Sequence, residues 1–162
     1  MRVLGLIALS GVALAALLVL AGQLGFLQGQ PPGDIGVHAG RLKPPSDTPN
    51  SVSSQAELYP KHPQRAYASI APFTVTGAGE KSMEKLAAIL TNTPRCILVT
   101  QLPDYLYAQC STALLRFTDD VEFWLDRDAG VIQVRSASRL GRGDLGVNRA
   151  RVEKIRAQFI PN

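Results

Sequence analysis

"FTDDVEFWLDRDAGVIQVRSASRLGRGDLGVNRARVEKIR", residues Phe117 to Arg156, sets a dense acidic cluster beside a dense basic one. Asp119, Asp120, Glu122, Asp126 and Asp128 come first, and Arg135, Arg139, Arg142, Arg149, Arg151, Lys154 and Arg156 follow. Apolar residues alternate with these charges. With "RDAG" (Arg127 to Gly130) as a four-residue loop, the two halves pair as a hairpin. Leu125 then faces Ile132 and Phe123 faces Val134 on the core side, where register is most strongly specified. The same register sets Glu122 opposite Arg135 on the other face, beside Trp124 and Gln133. Exposed, such a cross-strand ion pair contributes only about 0.2–1 kcal/mol.

Upstream of the hairpin the pattern is globular from Tyr67. Tyr67 to Val75 reads as a strand. "GEKSMEKLAAILTNTP" reads as an amphipathic helix with Met83, Leu86, Ala87 and Leu90 on one face and Pro94 after it. "RCILVTQ" reads as a buried strand and "YLYAQCSTALLRF" as a longer one, across a Leu-Pro-Asp turn. Asn148 to Phe159 reads as a helix with Val152, Ile155 and Phe159 on one stripe. The expected order is β-α-β-β-β-β-α, an α+β antiparallel sheet with helices packed on one face.

Upstream of residue 64 the composition changes. Residues 28–63 are rich in proline, glycine and serine and carry no periodicity, so they read as an extended linker before a domain over 64–162. Within it, "PNSVSSQ" (Pro49 to Gln55) reads as a capped turn at the domain edge. Residues 1–27 read as a membrane anchor or uncleaved signal. From Val3 to Gly22 only Ser10 is polar, and a 20-residue helix spans roughly 30 Å, a bilayer's hydrocarbon thickness. Arg2 and the amino terminus precede this run, which keeps the N-terminus cytoplasmic and sends the rest of the chain out. Cleavage after Ala21, with Val19 and Ala21 at the −3 and −1 positions, is the competing reading, and it would release the domain to the periplasm.

The 162 residues therefore accommodate one ordinary domain plus an appendage, and the net charge of +4 is too modest and too scattered for a nucleic-acid footprint. Export permits a disulfide, and a three-residue loop over Leu102–Asp104 would set Cys96 directly opposite Cys110. Histidine occurs only at His38 and His62, so no nucleophile–histidine pair lies within the expected domain. No spacing matches a zinc site, and no cofactor is expected. Asp119, Asp120 and Glu122 could offer oxygen ligands to a divalent cation. No glycine-punctuated loop surrounds them, and the arginines that follow neutralise them as well as a cation would. The turn from Arg135 to Arg149 has two readings. One is a demanding strand-to-helix connection with Asp144 or Asn148 as the cap; the other is an anion site built from Arg135, Ser136, Ser138, Arg139 and Arg149.

The combination of "FTDDVEFWLD", "VRSASRLGRGDLGVNRARVEKIR" and the upstream "TPNSVSSQA" resembles the domain-of-unknown-function family numbered 1499, from about Gly36 to Phe159. The resemblance implies a secreted or envelope α+β domain and no reaction. Its characteristic polar positions fall at Asn50, Ser53, Ser54, Asp119, Asp120, Glu122, Arg135, Ser136, Ser138, Arg139, Asp144, Asn148 and Arg149. Relatives often carry cysteine where this chain has Ser51, which argues against a thiol role there. Three functions stay open. The first is a non-enzymatic domain tethered to the inner membrane that faces the periplasm and binds an anionic small molecule or an envelope protein. The second is a metal- or carboxylate-dependent hydrolase or transferase using Asp119, Asp120 or Glu122. The third is an envelope structural or assembly factor presenting Tyr105, Tyr107 and Trp124.

Overall fold

The structure, a computed structural model, describes residues 2–75 and 77–159. Its centre is one antiparallel sheet in the order β1-β6-β5-β4-β3, with β2 also pairing β6. The strands are β1 (Ser51–Ser53), β2 (Phe73–Thr74), β3 (Cys96–Gln101), β4 (Tyr105–Ser111), β5 (Thr118–Asp126) and β6 (Val131–Ser138). The helices are α1 (Arg2–Gln23), the single turn α2 (Arg65–Ala68), α3 (Gly79–Asn92) and α4 (Val147–Phe159). A 3₁₀ turn covers Ala56–Leu58.

The β5–β6 register follows directly from apolar alternation. Phe123 faces Val134, Leu125 faces Ile132, and Glu122 faces Arg135. Val121, Phe123, Leu125, Ile132 and Val134 form the core face, against which α3 lays Met83, Leu86 and Leu90 and α4 lays Val152, Ile155 and Phe159. Phe73 closes this layer, edge-on to Phe123 at 5.3 Å and to Phe159 at 5.5 Å between ring centroids. Such edge contacts add roughly 0.5–1.5 kcal/mol each beyond the area buried. α3 and α4 thus lie on one face.

Other elements differ from their sequence reading. Tyr67–Val75 is not one strand: its start lies in α2, Ser69 makes a single bridge to Ser53, and Phe73–Thr74 pairs with β6. Pro72, which has no N–H to give a ladder, directly precedes that short pairing. The strand expected over residues 105–117 ends at Ser111. "RCILVTQ" forms an edge strand rather than a buried one, with Ile97 68% exposed and Val99 half exposed. A continuous apolar run does not by itself say how many of its faces are covered.

The stretch read as linker also joins the fold. β1 pairs antiparallel with residues 135–137 of β6, and Leu42, Val52 and Ala56 are fully buried. Ser51, Val52 and Ser53 are all buried, so the strand shows no alternation that periodicity could detect. Residues ahead of it cross the sheet face opposite α3 and α4. There the Gly36 N–H donates to Glu122, and Arg135 donates to the Pro44 carbonyl. Both faces of the central strands are therefore covered.

Among the described residues no helix is long and apolar enough to cross a membrane. The side chains at positions 2–6 and 8, on which the anchor reading and its Arg2-based orientation partly rest, lie outside the described ones.

Candidate functional site

Alternation along β5 sends Asp120, Glu122 and Trp124 to the face opposite the helices, and their β4 partners there are Gln109, Tyr107 and Tyr105. β6 contributes Gln133 and Arg135 to the same face. Two acids of this strand are held by arginines. Asp120 accepts a bidentate pair from Arg139, at 3.0 Å from Nε and 2.7 Å from Nη2. Tyr107 donates to the same carboxylate at 2.6 Å. Asp119 points to the helix face and pairs with Arg151 of α4. This answers the choice between cation and arginine for Asp119 and Asp120: both are neutralised within the chain. Among the described residues no group of three His, Cys, Asp or Glu side chains is placed to hold a metal ion.

Glu122 is different. It is 0% exposed, its Oε1 accepts from Gly36 N–H at 2.9 Å and from the Tyr105 hydroxyl at 2.8 Å, and its Oε2 has no hydrogen-bond partner. The Arg135 guanidinium stands 3.8 Å from that oxygen, beyond hydrogen-bond reach. Burial pushes the Glu122 carboxyl above its ordinary value, against the pull of the Gly36 and Tyr105 hydrogen bonds and of Arg135. The register of this pair is the one expected, but its environment is not. The small energy of an exposed pair does not apply, because both groups have lost their water.

Arg135 is 3% exposed, and burial pulls its guanidinium below its ordinary value while it stays protonated. Among the described residues its one hydrogen bond runs from Nε to the Pro44 carbonyl at 3.2 Å. Its two terminal nitrogens are left without an acceptor. Arg135 belongs to the lining of a cavity of about 580 Å³ between β6 and the covering segment. Arg139, Lys43, His62, Tyr59 and Asp120 share that lining. Lys43 is a third exposed and pairs with Asp34, and His62 lies 3.5 Å from the exposed Asp47.

The remaining predicted site residues converge elsewhere, on a clasp between β1, β6 and α4. Asp144 accepts from the Gly146 and Asn148 N–H groups and from the Tyr67 hydroxyl. Burial opposes ionisation of Asp144, but the Tyr67, Asn148 and Gly146 hydrogen bonds outweigh it and hold the carboxyl below its ordinary value. The Asn148 amide donates to Asn50 O, Ser138 Oγ and Asp144 Oδ2, and its oxygen accepts from Ser136 and Arg151. Asn50 donates to the Gly141 carbonyl, while its own Oδ1 is buried without a partner. Ser53 accepts from the Gln55 N–H, and Ser54 both accepts from Val134 N–H and donates to Gln133. Arg149 holds the Tyr67 and Ser69 carbonyls at the end of α2.

The predicted residues thus divide between two places. Arg135, Arg139 and Asp120 meet at the cavity, with Ser138 on its rim, and Glu122 sits behind them. Asn50, Ser136, Asp144, Asn148 and Arg149 bind the fold together instead. The strand-to-helix turn is a brace, in which Asp144 and Asn148 are satisfied by the chain. Sequence reading missed Lys43, Tyr59 and His62 as site residues, because a proline-rich segment gives no sign of which sheet face it will cover. Two basic side chains of α4, Arg151 and Arg156, also turn back onto the fold. Arg156 stacks 4.1 Å from the Phe73 ring centroid and donates to the Ala71 and Pro72 carbonyls.

Cys96 and Cys110 face one another and are joined by a disulfide. The route to that pairing was not the expected one. Gln101 pairs with Leu106, a register that would have set Cys96 against Ser111. A bulge between Leu98 and Thr100 shifts the ladder by one residue and brings Cys110 opposite.

A family model described as "Protein of unknown function (DUF1499)" matches residues 41–159, and the chain belongs to that family. The match begins beside Leu42, the first buried hydrophobic side chain described ahead of β1. The chain finds no match among curated proteins or solved structures.

Proposed function

We propose that this member of the DUF1499 family is a non-enzymatic domain that captures a small anion in the cavity beneath its proline-rich covering segment. The observation that carries the reading is Arg135: a buried guanidinium with both terminal nitrogens free of acceptors, lining a cavity beside Arg139, Lys43 and His62. A planar fork of this kind suits the paired oxygens of a carboxylate or phosphate. Asp120 sits in the lining but is already held by Arg139, so it repels an anion less than a free carboxylate does. The hydrolase and transferase readings lose their main support, since Asp119 and Asp120 are bound to arginines and Glu122 is sealed from solvent.

The same proposal puts the domain outside the cytoplasm, attached to the inner membrane through α1. The uncharged run from Val3 to Gly22 and the Cys96–Cys110 disulfide support that reading, because disulfides persist in oxidising compartments. A second reading, an envelope assembly factor, rests on β3. This uncharged edge strand leaves Ile97 and Val99 exposed, and unblunted edges invite pairing with another chain.

Thermal unfolding of the full chain in detergent, with inorganic phosphate against chloride at matched ionic strength, tests the anion site. Phosphate at a hundred times its Kd adds about 2.7 kcal/mol of stability. Lys43→Ala should reduce that gain while leaving the unliganded midpoint unchanged, since Lys43 is partly exposed and outside the core. Arg139→Ala is a poor probe: it strands a buried carboxylate, which costs about 3–5 kcal/mol by itself. Equal midpoints in phosphate and chloride would sink the proposal.

A further inference from the structure

The exposed apolar side chains of this molecule are not scattered. Outside α1, the β3 edge with Leu102, and Leu58, they gather at the end of the domain where α1 arrives. Gln23 donates to the Leu114 carbonyl and accepts from Arg116, so the last turn of α1 is bonded to the 112–117 loop. Gly22 fits there because it has no side chain; a Cβ would collide with the Leu115 carbonyl. Seven residues on, a Cβ at Gly29 would stand 2.9 Å from Arg139 Cβ and 3.0 Å from Leu140 Cγ, so the chain runs close along the start of the β6–α4 turn. A cavity of about 270 Å³ then joins Leu140, Leu145 and Val147 to Thr112 and Phe117 of the first loop. Leu24, Phe26, Leu114, Leu140 and Leu145 are all exposed on these three neighbouring segments.

Leu145 stands out among them. It is 101% exposed, and it is held at φ 51°, a left-handed conformation that side chains other than glycine rarely adopt. Its neighbours explain the backbone: Asp144 and Asn148 are locked into the clasp, and the residue between Asp144 and Gly146 is pushed outward. They do not explain a leucine, because a polar residue would be free of the cost of a hydrated isobutyl group. The surrounding charge points to the occupant. The 111–118 and 138–148 segments contain one carboxylate, Asp144, and it is buried, whereas among the described residues Arg116 and Arg142 carry no ion pair.

We infer that this face is seated on a lipid surface, with Leu114, Leu140 and Leu145 in the boundary between headgroups and acyl chains and Arg116 and Arg142 against anionic headgroups. An apolar patch with basic residues at its margin is the composition that binds in that boundary. The patch is also continuous with the exposed leucines of α1, so one apolar surface runs from the helix onto the domain. This inference rests on the proposed membrane attachment and adds to it a fixed orientation. The α1 contacts brace the domain against the bilayer rather than leaving it on a free tether.

Depth measurement tests it on the full chain, with the native disulfide intact. Leu114→Cys, Leu145→Cys and Asp128→Cys chains each receive one environment-sensitive dye and are reconstituted in phosphatidylcholine–phosphatidylglycerol vesicles. Asp128 lies in the exposed β5–β6 loop, at the other end of β5 from the apolar face. Doxyl-labelled lipid should quench the dyes at 114 and 145 at least about threefold more than the dye at 128, as expected for side chains at the acyl boundary. Co-flotation with equal quenching at the three positions would overturn the docked face and leave the attachment standing. Failure to co-float would remove the attachment and this inference together. Equal quenching of the dye at 145 in vesicles of phosphatidylcholine alone would overturn the role given to Arg116 and Arg142.

Discussion

At the scale of single residues, the sheet face opposite the helices is governed by desolvation. Asp120 is buried and fully partnered: Arg139 meets it with two parallel hydrogen bonds and Tyr107 adds a third. Glu122, two residues along the same strand, has no such fork, and its Oε2 is left unpartnered. That difference predicts a pH dependence. The Glu122 carboxyl sits above its ordinary value of 4.5, chiefly through burial, so the folded protein keeps a proton that the unfolded chain releases. Stability from this group is complete below about pH 4.5 and falls as pH rises through the folded value. Urea titrations across pH 4 to 8 should show that decline in the native chain and a flatter profile in Glu122→Gln, which carries no titrating proton. Parallel profiles would show that Glu122 ionises in the fold as easily as in water. The identity of the Glu122 partner was readable from alternation; its sealing from water was not, because the residues that cover it lie some eighty positions earlier in the chain.

The elements show what local pattern does and does not carry. The β5–β6 hairpin and the apolar faces of α3 and α4 follow from periodicity, since each buries one side against a single core. The β3–β4 pair needed more. Its turn and its disulfide sit in different registers, reconciled by the bulge at Val99, and a side chain count cannot reveal a bulge. The disulfide spans a separation of 14 residues in a hairpin whose outer strand is an open edge. A closed loop of about 15 residues is expected to add roughly 3 kcal/mol by restricting the unfolded chain. Reduction, or the Cys96→Ala, Cys110→Ala double variant, should therefore lower the unfolding free energy by about 2–3 kcal/mol in urea titrations. An unchanged midpoint would mean that the hairpin is already held closed in the unfolded ensemble.

Across the whole molecule, the boundary of the folded unit lies much earlier than composition indicates. Residues 41–58 supply the edge strand β1, the fully buried Leu42, Val52 and Ala56, and the carbonyl of Asn50 that receives Asn148. A chain beginning at residue 64 should consequently lose cooperative unfolding and near-ultraviolet circular dichroism, while one beginning at residue 30 keeps both. Equal cooperativity in the two chains would restore the linker reading of residues 28–63. Removing β1 also strips the ladder partners of residues 135–137, leaving buried backbone groups and the Arg135 site without one wall.

Sequence alone determined the features that arise from neighbours in the chain or across one hairpin: the helix faces, the Glu122–Arg135 register and the family. These are set by alternation and helical repeat, which need only a buried side and an exposed one. Tertiary structure decided which polar residues are a site and which are a brace. Asp144, Asn148 and Arg149 are polar residues no less than Arg135 is, but they find partners within the chain, whereas Arg135 ends at a cavity with its fork unfilled. That outcome depends on where the proline-rich segment crosses the sheet, a contact between residues far apart in sequence that leaves no local periodicity to read.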